Sequence, residues 1–231
     1  MGLKDELESE IKKILADQWS ERDGTVVPES EDLKLGNDGV WLDATILYAD
    51  MADSTLLVDN YKPKFAAEVY KVFLHSSAKI IRAEGGEITA YDGDRIMAVF
   101  LGDSKNTLAT RTALKINYSR IHILNPLLKA QYPNTNYELH HVVGIDTSRV
   151  FVARTGIRGS NDLVWISPAA NYAAKLCALH HDYPSRITSG VYEMLNSSLK
   201  TSSDGRSMWE QTTWTDMNKK IYRSTWRWPI T

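Results

Sequence analysis

One run of apolar residues that ends in a carboxylate constrains this sequence more than any other stretch. Residues 41–50 carry apolar side chains at both odd and even positions before they reach Asp50. Successive side chains of an extended strand point to opposite faces, so a strand of this composition is covered on both sides. The run predicts a buried strand, in a layered sheet or in a sheet at a dimer interface, with Asp50 at its end.

A second carboxylate belongs to a predicted hairpin over residues 87–101. Asp92 and Gly93 form a pair of the kind that closes a β-hairpin, and Asp94 follows directly. If the hairpin lies beside the first strand, Asp50 and Asp94 meet at one sheet edge. Neighbouring carboxylates repel unless a cation lies between them, so the pair predicts a divalent metal site suited to a nucleotide's phosphates. Simple turn chemistry is the competing explanation for an aspartate at such a position.

Two further stretches carry groups that suit a nucleotide. Backbone N–H groups at a strand-to-helix turn can receive phosphate, or the side chains there can cap the helix. The turn after Asp50 offers Asp53, Ser54 and Thr55. Residues 167–175 begin with Ser-Pro, a helix start that puts Asn171 and Lys175 on one helix face. Their amide and ammonium groups can bind a ribose and a phosphate oxygen, or can form an ordinary solvated pair.

Composition narrows the class of protein. The 231 residues, of which 43% are hydrophobic, suit one sizeable domain, and the net charge of −2 gives no reason to expect a nucleic acid or membrane partner. A single cysteine, Cys177, excludes an internal disulfide and suits the cytoplasm. No apolar stretch approaches the roughly 20 residues of a membrane helix. We therefore expect a globular, cytoplasmic protein.

Residues 3–19 repeat apolar side chains at helical spacing with charged residues between them. They predict an amphipathic helix, which could pack on its own domain or on a second protomer, and the first is favoured. Residues 22–38 read as a connecting segment with glycine, proline and several acids. The predicted organisation is a helix and connecting segment over 1–38 and one main domain over 39–231.

Four blocks, taken in order and spacing, resemble the class III nucleotide cyclase catalytic domain. The blocks are Leu47-Tyr48-Ala49-Asp50-Met51, Gly93-Asp94 with Ile96-Met97-Ala98, Val143-Gly144-Ile145-Asp146-Thr147 and Asn171-Tyr172-Ala173-Ala174-Lys175-Leu176. The resemblance covers residues 40 to 225. It implies an α+β fold with a ferredoxin-like βαββαβ core, a mainly antiparallel sheet and a C-terminal extension. It also implies a head-to-tail homodimer with active sites at the interface.

The same resemblance implies a role for each site residue. Asp50, Met51 and Asp94 of one subunit form the site for two divalent ions, Mg²⁺ or Mn²⁺, while Asn171 and Lys175 come from the other subunit. Asn171 would orient the ribose, and Lys175 would meet charge on the α-phosphate. The family usually has arginine at the latter position, and lysine lacks its planar fork. Either of two pairs of cations could bind the terminal phosphates: Arg154 and Arg158, or Lys219 and Lys220.

The base pocket departs from the purine cyclases. Ala90 and Val164 occupy the two positions that read the purine in that family, and neither side chain can hydrogen-bond a base. Tyr48 lies on the same strand face as Asp50 and could shorten the pocket, whereas Arg95 could donate to a pyrimidine O2 or O4. The alternatives are a core role for Tyr48 and a surface or phosphate contact for Arg95.

With these departures the chain is similar to the pyrimidine cyclases of bacterial Pycsar anti-phage systems. The resemblance implies cyclisation of UTP to cyclic UMP and pyrophosphate, with the product activating a separately encoded effector. CTP and cyclic CMP are the alternative. Two others stay open, a purine nucleotide cyclase with an unusual pocket and a catalytically silent dimeric module that keeps the fold.

Overall fold

The computed structural model describes residues 2–231. By internal contacts they divide into two units. The small unit comprises the chain up to Asp43 together with Arg149–Ser167, and the large unit comprises Ala44–Ser148 and Pro168–Thr231. No helix within residues 2–231 is long and apolar enough to cross a membrane.

The strands and helices alternate along the chain. The strands are β1 (Ser20–Asp23), β2 (Asp38–Met51), β3 (Glu87–Asp92), β4 (Arg95–Phe100), β5 (His141–Ile157), β6 (Ser160–Ile166), β7 (Ser185–Thr188), β8 (Glu210–Trp214) and β9 (Lys219–Ser224). The α-helices are α1 (Leu3–Ala16), α2 (Ser54–Asn60), α3 (Pro63–Ala83), α4 (Lys105–Ser119), α5 (Asn125–Gln131), α6 (Pro168–Cys177) and α7 (Ser189–Glu193). A π-helical segment, Arg120–Leu124, joins α4 to α5.

The sheet of the large unit confirms the predicted fold class. Its strand order is β3-β4-β2-β5-β7-β9-β8, and the first four strands alternate with helices as β2-α3-β3-β4-α4-β5. That order is the ferredoxin-like βαββαβ arrangement, and β7, β9 and β8 form the C-terminal extension. The sheet is mainly antiparallel, with β5 and β7 parallel. Buried side chains of α3, including Phe65, Val69 and Phe73, pack in the core together with residues of the central strands.

The hairpin β3–β4 lies beside β2 as the sequence predicts, but its turn is shifted by one residue. Asp92 pairs with Arg95, so the two-residue loop is Gly93-Asp94 and not Asp92-Gly93. Gly93 takes φ +61°, the left-handed conformation that a glycine at the first loop position supplies at low cost. Asp94 is therefore a loop residue itself, next to Arg95, which pairs with Asp50.

The hairpin β5–β6 corrects a second prediction. The sequence predicts two separate strands, at about 138–146 and 149–154, followed by a loop that contains Gly156 and Gly159. In the structure β5 is one continuous strand that pairs with β6 from Phe151 and Ile166 to Ile157 and Ser160. Gly159 takes φ +84° in the two-residue turn, and Gly156 takes φ +108° within the strand. Gly159 supplies the positive φ of the turn, and Gly156 supplies a positive φ within the paired strand, so both glycines shape the hairpin without ending it.

The N-terminal helix corrects a third prediction. The favoured prediction is that α1 packs on its own domain, but α1 contains no buried residue. Its apolar side chains are between 47% and 80% exposed: Leu3, Leu7, Ile11, Ile14 and Leu15. The helix is fixed at its C-terminal end, where the Asn37 amide donates to the carbonyls of Ile14 (2.8 Å) and Asp17 (2.7 Å). The segment predicted as a plain connection, residues 22–38, begins within β1, which pairs in parallel with β2.

Helix α6 approaches strand β5 at van der Waals distance because Gly144 has no side chain. A Cβ atom at this position would lie 2.2 Å from the Ala173 carbonyl oxygen and 2.7 Å from the Cys177 backbone nitrogen. Backbone atoms cannot turn aside as a side-chain tip can, so Gly144 sets the depth at which α6 packs.

We expect Gly144→Ala to destabilise the protein by about 1–3 kcal/mol, the usual cost of overpacking a filled interior. The free energy of unfolding from urea titration is the measurement. Gly190→Ala is the matched control, because a Cβ there meets its nearest neighbour, Cγ2 of Thr147, only at 3.9 Å. Equal stabilities of the two variants would contradict the close packing of α6 on β5.

Candidate active site

The two predicted carboxylates lie together at the end of β2. Burial raises the pKa of Asp50 to about 6, and the negative charge of Asp94 adds to the rise. Arg95 and the backbone N–H of Met51 oppose it. The structure thus brings Asp50 within electrostatic range of Asp94, and it leaves both side chains partly exposed. Each carboxylate keeps an accessible face for a ligand.

The donor set suits a hard divalent cation. Two neighbouring carboxylates gain from a positive charge between them, and Mg²⁺ and Mn²⁺ prefer oxygen ligands. The Met51 side chain is buried in the core, so only the backbone of Met51 is available to such an ion. Its carbonyl oxygen is a donor of the same hard kind.

Tyr48 and Arg95 lie side by side next to the carboxylates. The Arg95 guanidinium carbon is 5.3 Å from the centroid of the Tyr48 ring, and Nη2 donates to the Asp92 carboxylate at 2.8 Å. Burial raises the pKa of Tyr48, which therefore stays a neutral phenol. Beneath them lies Cys177, which ends α6, and burial together with the charge of Asp50 raises the pKa of its thiol to about 12. This thiol is an inert packing group at neutral pH.

The turn that follows β2 is held in an unusual backbone conformation. Asp53 takes φ +58°, which is uncommon for a residue with a side chain, and helix α2 begins at the next residue, Ser54. The Asp53 side chain does not cap α2 but pairs with Nε2 of His181 at 3.2 Å. The Ala52 N–H donates to the His140 carbonyl at 3.0 Å. The first-turn N–H groups of α2, at Ser54 and Thr55, need partners from outside the helix.

A stack of three imidazoles supports this turn, and sequence reasoning missed it. The ring centroids of His140 and His181 are 4.3 Å apart, and those of His181 and His180 are 4.5 Å apart. Arg120 lies 3.3 Å from Nδ1 of His140, and burial lowers the pKa of His140. The signal in the sequence was the His180-His181-Asp182 tripeptide, but its distance from Asp53 along the chain hid the contact.

Asn171 and Lys175 occupy the exposed face of α6, as predicted. Nζ of Lys175 lies 3.8 Å from the Met217 sulfur. Within the described part of one chain, no hydrogen bond or ion pair links Asn171 or Lys175 to Asp50 or Asp94. The carboxylate pair and the amide–ammonium pair are thus two separate sets of groups in a single chain.

The candidate phosphate cations differ in their surroundings. Arg154 is already engaged, with Nε on Asn161 Oδ1 at 2.8 Å and Nη1 on the Leu33 carbonyl at 3.2 Å. Lys219 and Lys220 instead line a small cavity of about 180 Å³ together with Asp146, Tyr172, Thr188, Ser189 and Gly190. Nζ of Lys219 lies 4.7 Å from the centroid of the Tyr172 ring, beside the α6 face that carries Asn171. Arg154 is therefore less available to a phosphate than the lysine pair, whereas Arg158 is exposed.

Comparison with known proteins gives the family. No protein-family model matches the chain. A uridylate cyclase from Xanthomonas perforans is 50% identical over 232 residues, and one from Burkholderia cepacia is 48% identical, each across the full length of both chains. A third, from a Rhodovulum species, is 39% identical over 99% of both chains. The chain belongs to the uridylate cyclase family.

Solved structures place this uridylate cyclase family member in the class III cyclase fold. The guanylyl cyclase Cya2 superposes with a TM-score of 0.67 over 80% of this chain and 92% of its own, at 16% identity. The adenylyl cyclase CyaB from P. aeruginosa gives a TM-score of 0.66 over 80% and 95%, at 18% identity. Sequence identities this low establish the fold alone.

The two positions expected to read a purine carry no polar side chain. Ala90 lies in β3, where it pairs with Met97, and Val164 lies in β6, where it pairs with Ala153. The polar groups beside the carboxylates belong instead to Tyr48 and Arg95. The sequence motifs identified both residues, but only the structure shows that they lie in contact.

The carboxylate pair predicts that Asp50→Asn stabilises the metal-free protein. The folded-state pKa of Asp50, about 6, exceeds its usual 3.8, so ionised Asp50 opposes folding at neutral pH. We expect the melting temperature in EDTA to rise by a few degrees at pH 7.5, and the rise to disappear as the pH falls from 6 towards 4, where the wild-type carboxyl is also neutral. Asp59→Asn, at an exposed position on α2, is the control. A lower melting temperature for Asp50→Asn would contradict the repulsion.

Proposed function

We propose that this protein converts UTP into 3′,5′-cyclic UMP and pyrophosphate. The observation that carries the proposal is the juxtaposition of Asp50 and Asp94 with Tyr48 and Arg95 at the end of β2. A site of this kind offers oxygen donors for metal-bound phosphates and a hydrogen-bond donor for a small base. The relatives with the same chain length carry the name uridylate cyclase.

Asp50, Asp94 and the Met51 carbonyl would hold two divalent ions, Mg²⁺ or Mn²⁺. Bound there, such ions supply acidification of the ribose 3′-hydroxyl and neutralisation of phosphate charge. The residues of the chain bind and orient the substrate around them. The N–H groups of Ser54 and Thr55 suit the phosphates, and the His181 pair with Asp53 holds that turn in place.

The reaction forms the bond between O3′ and the α-phosphorus and breaks the bond from that phosphorus to the β-phosphate oxygen. Asn171 would orient the ribose so that O3′ attacks in line, with pyrophosphate leaving on the opposite side. Lys175 would oppose the charge that grows on the α-phosphate, where one preorganised donor contributes on the order of 3 kcal/mol. Lys219 and Lys220 suit the terminal phosphates, since Arg154 is engaged elsewhere.

A complete site needs two copies of the chain. Asn171 and Lys175 make no hydrogen bond or ion pair with Asp50 or Asp94 within the described residues of one chain. In a head-to-tail homodimer each copy would give its carboxylates to one site and its α6 face to the other, and two-fold symmetry would then form two sites.

Arg95 favours uracil over the other bases. Its guanidinium has N–H donors only, and an N–H that faces the 4-position can donate to uracil O4 but not to the amino group of cytosine. A contact to O2 would admit both bases, so CTP is the second candidate substrate. Tyr48 would fill the space that a purine needs, and Ala90 and Val164 offer no purine contact. The cyclic nucleotide would act on a separately encoded effector in bacterial anti-phage defence, as the Pycsar resemblance implies.

Product identification tests the reaction. The purified protein with Mn²⁺ and each ribonucleoside triphosphate in turn should yield cyclic UMP from UTP, identified by mass, and less than a tenth as much product from CTP, ATP or GTP. Asp94→Ala should lower turnover at least a hundredfold, because the metal site loses a ligand, while Asp59→Ala keeps it. Cyclic AMP or cyclic GMP as the main product would refute the base assignment. No cyclic product from a folded dimer would favour the silent module.

Complementation tests the shared site. Asp94→Ala and Asn171→Ala should each be inactive alone, but the heterodimer of the two variants contains one site with neither substitution. Co-expression should therefore restore about a quarter of wild-type activity, since half of the dimers are mixed and each mixed dimer has one intact site out of two. Asp94→Ala co-expressed with Asp50→Ala is the control, because both substitutions fall in the same half-site and no intact site forms. Activity in the control equal to that in the test would rule out sharing.

A further inference from the structure

Helix α1 presents an apolar stripe that the chain itself leaves uncovered. The stripe, defined by Leu3, Leu7, Ile11, Ile14 and Leu15, follows the spacing of one helix face, and every member is exposed. A helix of 14 residues is marginal in water on its own, because helices of this length depend on packing of the apolar face. The stripe therefore needs a partner surface.

Contacts within the small unit hold the C-terminal end of α1 in place. The Asn37 amide holds two carbonyl oxygens at its C-terminal end, and Trp19, just beyond, packs edge-on against Phe151 at 5.2 Å between ring centroids. Phe151 in turn contacts the Trp41 ring at 4.8 Å. These contacts lie within the small unit and anchor the base of α1, so the stripe is a constant feature of the surface.

The charges beside the stripe indicate which partner fits. The first half of α1 carries four acids and one cation and is net negative, whereas the second half carries two cations: Asp5, Glu6, Glu8 and Glu10 with Lys4, then Lys12 and Lys13. Two parallel copies would align acid with acid. Two antiparallel copies would place the acidic half of each beside the basic half of the other, which favours pairing. The helix is thus complementary to itself in one orientation only.

A specific register satisfies both the stripe and the charges. When two antiparallel copies are centred on Ser9, Leu7 of one copy lies opposite Ile11 of the other, and Leu3 lies opposite Leu15. By the 3.6-residue repeat, Lys12 and Glu8 lie on the same flank of the stripe, so the register brings Lys12 of one copy within reach of Glu8 of the other. Ser9 itself lies on the far side of the helix from the stripe by the 3.6-residue repeat. Apolar and charged pairs therefore agree on one arrangement.

We propose that α1 is a self-association surface, through which two copies of this chain pair antiparallel along the stripe. One pair of short helices buries less than the roughly 800 Å² per partner of a standard stable interface. The α1 pair therefore adds to another contact between the same two copies, and in this respect the inference rests on the proposed catalytic dimer. Its role is to strengthen that dimer independently of nucleotide.

Two matched substitutions test the surface. Ile11→Glu places a charge in the middle of the stripe, whereas Ser9→Glu places the same charge on the opposite face two residues away. Neither position is buried, so both variants should fold with unchanged melting profiles as monomers. We expect Ile11→Glu to raise the dimer dissociation constant by about tenfold or more in sedimentation equilibrium without nucleotide, and Ser9→Glu to change it less than about twofold.

Cysteine cross-linking tests the orientation. A mixture of Leu7→Cys and Ile11→Cys chains should give a mixed disulfide dimer under mild oxidation, while Leu7→Cys alone should not. The native Cys177 is buried, so the wild-type chain gives the background. Self-cross-linking of Leu7→Cys in preference to the mixed product would overturn the antiparallel arrangement.

The outcomes separate this inference from the proposed reaction. An unchanged dissociation constant for Ile11→Glu, in a protein that dimerises and makes cyclic UMP, would overturn the α1 surface and leave the reaction standing. A wild-type chain that is monomeric at every concentration would overturn both the α1 pair and the shared active site. A weakened dimer together with the mixed disulfide would establish the surface.

Discussion

The repulsion between Asp50 and Asp94 is the constraint on which the rest of the site depends. The fold places two acidic groups where burial and proximity raise the pKa of one to about 6, an arrangement that opposes folding unless a cation is present. The register of β2 with β4 enforces it, because Asp50 pairs with Arg95, the neighbour of Asp94. A slip of one residue would turn Asp50 to the other face of the sheet. The buried centre of the sheet therefore offsets the destabilisation that the two carboxylates cause at its end.

The sequence predicted those parts of the fold that depend on residues close together along the chain. The apolar run before Asp50 and the Ser-Pro start of α6 follow from periodicity and turn residues, and the structure contains both a strand and a helix at these positions. The predictions that were wrong involve residues whose role depends on distant partners. Gly156 and Gly159 read as a loop because their extended partner strand, β6, was not visible in the pattern. The packing of α1 was wrong because amphipathicity predicts that a face is covered but not by what.

The same difference between local motifs and distant partners applies to the candidate site. Asp50, Asp94, Tyr48 and Arg95 were identified from their motifs, and the structure adds that the Arg95 guanidinium lies beside the Tyr48 ring. The contact between Asp53 and His181 could not be predicted from the sequence, because it joins a strained turn to a loop more than a hundred residues later. Local sequence predicts which groups can react. The groups that hold them in position come from the tertiary structure, and no short motif records them.

Helix α6 has a consequence for communication between active sites. Its last residue, Cys177, lies beneath Tyr48 and Arg95, while Asn171 and Lys175 on its outer face would serve the other site of a dimer. Gly144 leaves no gap between the helix and strand β5, so a displacement of α6 would move the helix as a rigid body and not by local compression. In the proposed dimer, a displacement that nucleotide produces at one site would reach the other through the ten residues of the helix. The two sites would then bind nucleotide cooperatively, with the sign set by the direction in which the first nucleotide moves the helix.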